Sequence, residues 1–198
     1  NYIDLMSSGS FDGLKDEYGS TITVDIASIP NSLTVNWMQI KMPDANTWPW
    51  LDMEAYLPSG TMAGACSVEI TYTSDKPLIL SLPQPELSAS GETFQIDLPI
   101  ASTASKVTTE ISAFHKPSWS TNTTALDLTK IGGISVLPNA YTELAAENGT
   151  FTITSLKVYG LTLTNVNTIA EQAEVISLQP NTISIGGIEN GMYQVQVY

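Results

Sequence analysis

The sequence predicts an all-β protein, an antiparallel two-sheet jelly-roll β-sandwich. Three observations carry that prediction. From Thr21 to Thr164 apolar and polar residues alternate with a period of two in short runs, the mark of half-buried strands. Gly, Pro, Ser and Asn separate those runs, as turn residues do. No stretch carries a long amphipathic helical pattern, and the best helix candidate, Glu143–Glu147, is a turn or two at most. Short strands at regular spacing close into sandwiches or jelly rolls.

The opening Asn1–Leu5 reads as a strand. Ser7–Ser20 holds three glycines and several acids and reads as a loop. Thr21–Ile26 and Leu33–Met42 alternate, the second with Val35, Trp37 and Gln39 on one face, which assigns Trp37 to packing. Pro43–Asn46 is a turn. Thr47–Leu57 follows as a strand, ended by Pro58, Ser59 and Gly60, and Met62–Ala65 is a loop of small residues. Ser67–Thr73 places Val68, Ile70 and Tyr72 together; Leu78–Leu82 and Thr93–Leu98 each turn three apolar residues inward. Val107–Ile111 is the next strand, then comes a Ser/Thr/Asn-rich loop around Trp119, a short helical turn at Leu126–Thr129 and a strand at Ile134–Val136. Thr150–Thr164 gives one or two closing strands. The alternation slips by one between Ile153 and Leu156, which predicts a bulge at Ser155.

Composition bounds the partners. The 198 residues are 42% hydrophobic and 14% charged, enough for one large β domain or one domain with an addition. The net charge of −13 comes from 20 acidic and 7 basic residues. It argues against nucleic acid, since phosphate binding needs a basic footprint, and against anionic membranes. A neutral ligand, a cation or a basic partner suits it. No apolar run reaches the length of a membrane span, so no membrane insertion is expected. The lone Cys66 excludes an internal disulfide, and its neighbours Ala65 and Val68 suggest a buried small hydrophobe. The single His115 excludes multi-histidine metal sites. Starting at Asn1 without Met, the chain reads as a processed or excised piece.

The chemistry concentrates in TWPWLDMEAYL, Thr47–Leu57. As a strand it turns Leu51, Met53, Ala55 and Leu57 one way and Trp50, Asp52, Glu54 and Tyr56 the other. Two aromatics flanking two carboxylates supply stacking surface and hydrogen-bond acceptors, the kit that holds a sugar. The plainer reading is a solvated sheet face carrying good strand formers. Trp48, Trp50, Asp52, Glu54, Tyr56 and Trp119 are therefore the candidate carbohydrate-binding residues. Asp12, Asp16 and Glu17 offer oxygens to a structural Ca²⁺, although they miss the EF-hand spacing; a solvated acidic loop is the alternative. Catalysis is not expected. Asp52 and Glu54 lie about 7 Å apart along one strand, within the range of paired glycosidase acids, but nothing supplies a facing acidic wall. No G-x-S-x-G elbow and no phosphate-binding glycine motif is present. A structural or adhesion domain of a secreted or cell-surface protein is the competing function.

Taken in order, TWPWLDMEAYLP, VEITYTSDKPLILSLPQ, ISAFHKPSW, ALDLTKIGGISV and GTFTITSLKVYG resemble the β-jelly-roll carbohydrate-binding modules appended to bacterial cellulases and other plant-cell-wall hydrolases. The resemblance runs from about Trp37 to Gly160. It implies two antiparallel sheets, often a structural Ca²⁺, and a concave face that binds a polysaccharide, here a β-glucan or related chain. It also implies a catalytic domain in the same full-length protein and a secreted or cell-surface, bacterial setting. Where many relatives carry acids near the last strand, this chain has Thr154 and Ser155, and His115-Lys116 is more basic than the pattern. Residues 1–164 would be the sandwich, 165–180 a linker and 181–198 a hairpin. That tail, NTISIGGIENGMYQVQVY, resembles the start of a C-terminal sorting domain of the type IX secretion kind, or is an extra hairpin of the sandwich.

Overall fold

The period-two runs become strands in the computed structural model, which describes residues 1–28, 31–57, 60–88, 90–161, 175–179 and 182–185. In order these are β1 (Tyr2–Asp4), α1 (Leu5–Ser8), β2 (Ser10–Lys15), β3 (Thr21–Ser28), β4 (Asn31–Gln39), β5 (Leu51–Tyr56), β6 (Ser67–Ser74) and β7 (Leu78–Leu82). They continue with α2 (Pro85–Ser88), β8 (Phe94–Leu98), β9 (Ala101–Glu110), β10 (Gly133–Pro138) and β11 (Glu147–Tyr159). The described helices are single turns, including 3-10 turns at Ile111–Ala113 and Leu128–Lys130. Glu143–Glu147 is not a helix: bends occupy Glu143, Leu144 and Ala145, and Glu147 opens β11.

Two antiparallel sheets form. The first runs β3-β4-β11-β6-β9, with β1 also paired to β11; the second runs β2-β5-β10-β7-β8. Their inward residues make one core. Leu33, Val35 and Trp37 from β4 and Val68, Ile70 and Tyr72 from β6 meet Leu51, Met53 and Ala55 from β5, Leu78, Leu80 and Leu82 from β7 and Ile134 and Val136 from β10. This is the predicted sandwich. The slip in β11 is a register shift between Ile153 and Ser155 against β6, at the predicted place. It lets Phe151 and Ile153 on one side, and Leu156 and Val158 on the other, all reach the core.

Three expectations are corrected. Ser7–Ser20 is not one loop, because Ser10–Lys15 is an edge strand against β5. Its Gly13 is a packing device: a Cβ there would come within 2.9 Å of Ile22 Cγ2 and 3.2 Å of Val24 Cγ2 on β3. Cys66 is exposed rather than buried. It sits at a turn, where its N–H donates to Tyr159 O, and a Cβ on Gly160, whose φ is +82°, would collide with it. Lastly, Val175–Gln179, within the expected linker, is a strand, β12, paired antiparallel to β13 (Thr182–Ile185). The chain divides into compact units Asn1–Thr162 and Leu163–Tyr198. The sorting-domain resemblance at 186–198 lies outside the described residues.

Candidate functional site

β5 is the second strand of its sheet, and its pleat sets the site. Leu51, Met53 and Ala55 enter the core, so Asp52, Glu54 and Tyr56 stand on the outward face. Trp50, one residue ahead of the strand, is 49% exposed and Tyr56 40%. Strand pairing extends this face across the sheet. Asp12 lies opposite Glu54, Glu54 opposite Ser135, Ser135 opposite Ser81, and Ser81 opposite Gln95. These five residues form one polar row across five strands spaced about 5 Å apart. Ser10, Tyr56 and Gly133 form the neighbouring row. Gly133 leaves room for its neighbour, since a Cβ there would lie 2.8 Å from Glu54 Oε1.

The predicted metal ligands separate. Asp12 belongs to the row just described. Glu17 is exposed in the β2–β3 turn. Asp16 is buried and its carboxylate is fully engaged. Oδ1 accepts from the N–H groups of Tyr18 (2.8 Å) and Ser20 (3.3 Å), and Oδ2 from Ser20 Oγ (2.6 Å) and Trp50 N–H (2.9 Å). Its own N–H donates to Trp50 O at 3.0 Å. Burial pushes the Asp16 carboxyl up, but those donors outweigh it and hold it below the usual range. Asp16 thus fixes the backbone of Trp50. Among the described residues no group of three or more His, Cys, Asp or Glu is arranged to hold a metal ion.

The remaining candidates sit on loops. Asp44 accepts from Asn46 N–H (2.8 Å) and Thr47 Oγ1 (3.0 Å), a local turn that sets up Trp48. Gln39 Nε2 donates to Pro49 O at 3.0 Å and pins the chain between Trp48 and Trp50. Trp119 lies on a turn closed by Ser120 N–H to Pro117 O (2.9 Å), and Ser120 Oγ donates to Glu92. The basic His115-Lys116 pair organises this loop. His115 exchanges backbone hydrogen bonds with Gln95 on β8, and Lys116 Nζ caps the carbonyls of Asn122 and Thr124 while lying 5.7 Å from the Phe94 ring centre. Trp48 and Trp119, 57% and 63% exposed, line a shared cleft of about 520 Å³ together with Ser90 and Gly91.

The acids feel one another. Burial pushes the Asp52 carboxyl up to about 7, the Glu54 charge adds to the rise, and Ser135 beside it offsets a part. Burial and then the Asp12 charge raise Glu54. Tyr56 is raised by burial first, then by Glu54, Asp12 and Asp52. Asp52 Oδ1, Ser135 Oγ and Ser81 Oγ are buried without a hydrogen-bond partner; Ser135 lies near Asp52 but not in hydrogen-bonding geometry. Sequence reasoning missed Ser81, Ser135 and Gln95, and placed Asp12 elsewhere. The serines were visible as polar residues inside LILSL and GISVL, but their row is made by pairing between distant strands.

No family model matches the chain, and no curated protein matches it by sequence. Solved structures do match. The family 11 carbohydrate-binding module of the cellulosomal cellulase Lic26A-Cel5E of Clostridium thermocellum aligns at 15% identity with a TM-score of 0.55, over 76% of this chain and 87% of that one. The family 11 module from Clostridium thermocellum in complex with a β-1,3-1,4-mixed-linked tetrasaccharide aligns at 15% identity with a TM-score of 0.54, over 76% and 89%. The two-sheet sandwich described above is the fold of these carbohydrate-binding modules.

Proposed function

We propose that this chain is a non-catalytic carbohydrate-binding module that holds a β-glucan or related polysaccharide chain and delivers an attached glycoside hydrolase to it. The observation that carries the reading is the outward face of β5. Trp50, Asp52, Glu54 and Tyr56 share it, with both rings exposed and both acids partly buried. Aromatic faces offer apolar area to the C–H side of a pyranose, and carboxylates accept hydroxyl hydrogen bonds worth about 1.5–3 kcal/mol each. The Trp48–Trp119 cleft adds a second stacking place. The fold likeness agrees, since one of the matched modules is in complex with a mixed-linked glucan tetrasaccharide. Hydrolysis is not part of the reading: Asp52 and Glu54 stand side by side on one strand rather than across a substrate. A secreted or cell-surface bacterial protein is the setting that this function calls for.

Calorimetry against cellohexaose, mixed-linkage glucan, xylan and mannan tests the reading. Saturable binding to at least one of them is expected, with no release of reducing sugar. Absence of binding to the whole panel would leave a structural or adhesion domain in its place.

A further inference from the structure

We propose that the outward face of the second sheet prefers a cationic glycan, a β-linked chain of amino sugars carrying protonated amines, over the equivalent neutral chain. This rests on the glycan-binding reading above and adds the charge of the ligand.

The face holds three carboxylates. Asp12 pairs across from Glu54, and Asp52 follows two residues away on the same side of β5. Strand geometry separates them by about 5 Å across and about 7 Å along. All seven basic residues of the chain are lysines, and among the described residues none forms an ion pair with these acids. The described ion pairs join Lys106 to Glu69 and Lys130 to Glu86 and Asp127. Lys116 is spent on loop carbonyls.

A second observation points to a ligand. Ser135 and Ser81 are each 1% exposed, continue the row from Glu54, and have Oγ atoms without partners. Buried polar groups are nearly always hydrogen-bonded. On this face Asp12 Oδ1 accepts from the Gly13 N–H at 2.8 Å, while Asp52 Oδ1 and the Ser135 and Ser81 hydroxyls are left without a hydrogen-bond partner. An ammonium supplies both the missing charge and the missing donors.

The arrangement suits a polymer better than a point charge. The acids are strung across and along two strands rather than converging, and no metal-holding group forms among the described residues. A chain with a charge on each sugar meets such a string; a single ion does not. The exposed rings of Trp50 and Tyr56 favour a glycan over a basic peptide, because they stack on pyranose faces and also attract a cation through their ring quadrupoles. A bound ammonium favours the ionised carboxylates, and the carboxylates in turn favour the protonated amine.

The test titrates the chain with four probes at about pH 6: a glucosamine hexamer, the N-acetylated hexamer, cellohexaose and hexalysine. The expected result is that the glucosamine hexamer binds at least about tenfold tighter than cellohexaose or the acetylated hexamer, with a preference that fades with salt. The double variant Asp12→Asn, Glu54→Gln should cut its affinity by more than about tenfold. If that variant fails to fold, the salt dependence and the acetylated hexamer decide on the unmodified chain. Cellohexaose binding as tightly as the amine hexamer overturns the proposal and leaves the glucan reading standing. Hexalysine binding as tightly shows a general polycation surface and overturns it too. Binding of no hexasaccharide removes both readings.

Discussion

Single residues here do jobs that their type alone would not reveal. Asp52 is an acid whose carboxyl its surroundings push up to about 7, with burial the main cause and Glu54 the second. Its folded value of about 7 lies above the unfolded one. The folded state therefore binds the extra proton between about pH 4 and pH 7, and stability falls across that window as pH rises. Asp52→Asn should leave the melting temperature unchanged near pH 4 and raise it at pH 8, by up to about 4 kcal/mol in stability; an equal loss at both pH values would mean that Asp52 is paired. Asp16 has the opposite sign. Its lowered value means stability present above the unfolded value of about 3.9 and lost as pH falls through the folded one. Asp16→Ala should cost at least about 3 kcal/mol at neutral pH by denaturant unfolding. It should also loosen Trp50, whose N–H it holds, visible as a change in tryptophan emission.

Elements show where sequence patterns speak and where they mislead. β4, β5, β7 and the bulged β11 were legible, because each has one face in the core and alternation reports that directly. The same parity separates two tryptophans of equal composition. Trp37 on β4 is 3% exposed and Trp50 beside β5 is 49% exposed. Trp37→Ala should cost about 3–5 kcal/mol, measured by urea unfolding. Trp50→Ala should leave the melting curve in place and weaken glucan binding about tenfold to a hundredfold. If Trp50→Ala instead melts the fold, the face assignment fails. β2 was not legible. Its glycines and acids look like a loop, yet Gly13 is there because Ile22 and Val24 of β3 press against the strand. Gly13→Val should cost about 1–3 kcal/mol through overpacking, a loss that thermal unfolding would register.

At the scale of the whole molecule, the fold class could be read from periodicity, but the site could be read only in part. β5 is local, so its outward residues Asp52, Glu54 and Tyr56, with Trp50 just ahead of it, were recognisable in eleven consecutive letters. The row from Asp12 to Gln95 joins β2, β5, β10, β7 and β8, and no local pattern encodes which strands become neighbours. The loop cleft of Trp48 and Trp119 escapes alternation for the same reason. That non-local wiring has a consequence for how the protein is made. β11 stands at the centre of the first sheet, bonded to β4, β6 and β1, yet it is the last strand of Asn1–Thr162 in the chain. β10 plays the same part between β5 and β7. A ribosome working from the N-terminus therefore releases five strands of the first sheet, β1, β3, β4, β6 and β9, before the one that joins them. Nascent chains arrested with residues only up to Pro138 outside the tunnel should be digested by protease as unfolded chain, and resistance should appear once Tyr159 has emerged. Until then the open edges of β4 and β6 are templates for mispairing, so the yield of this protein in a cell should follow the supply of chaperones more closely than its final stability does.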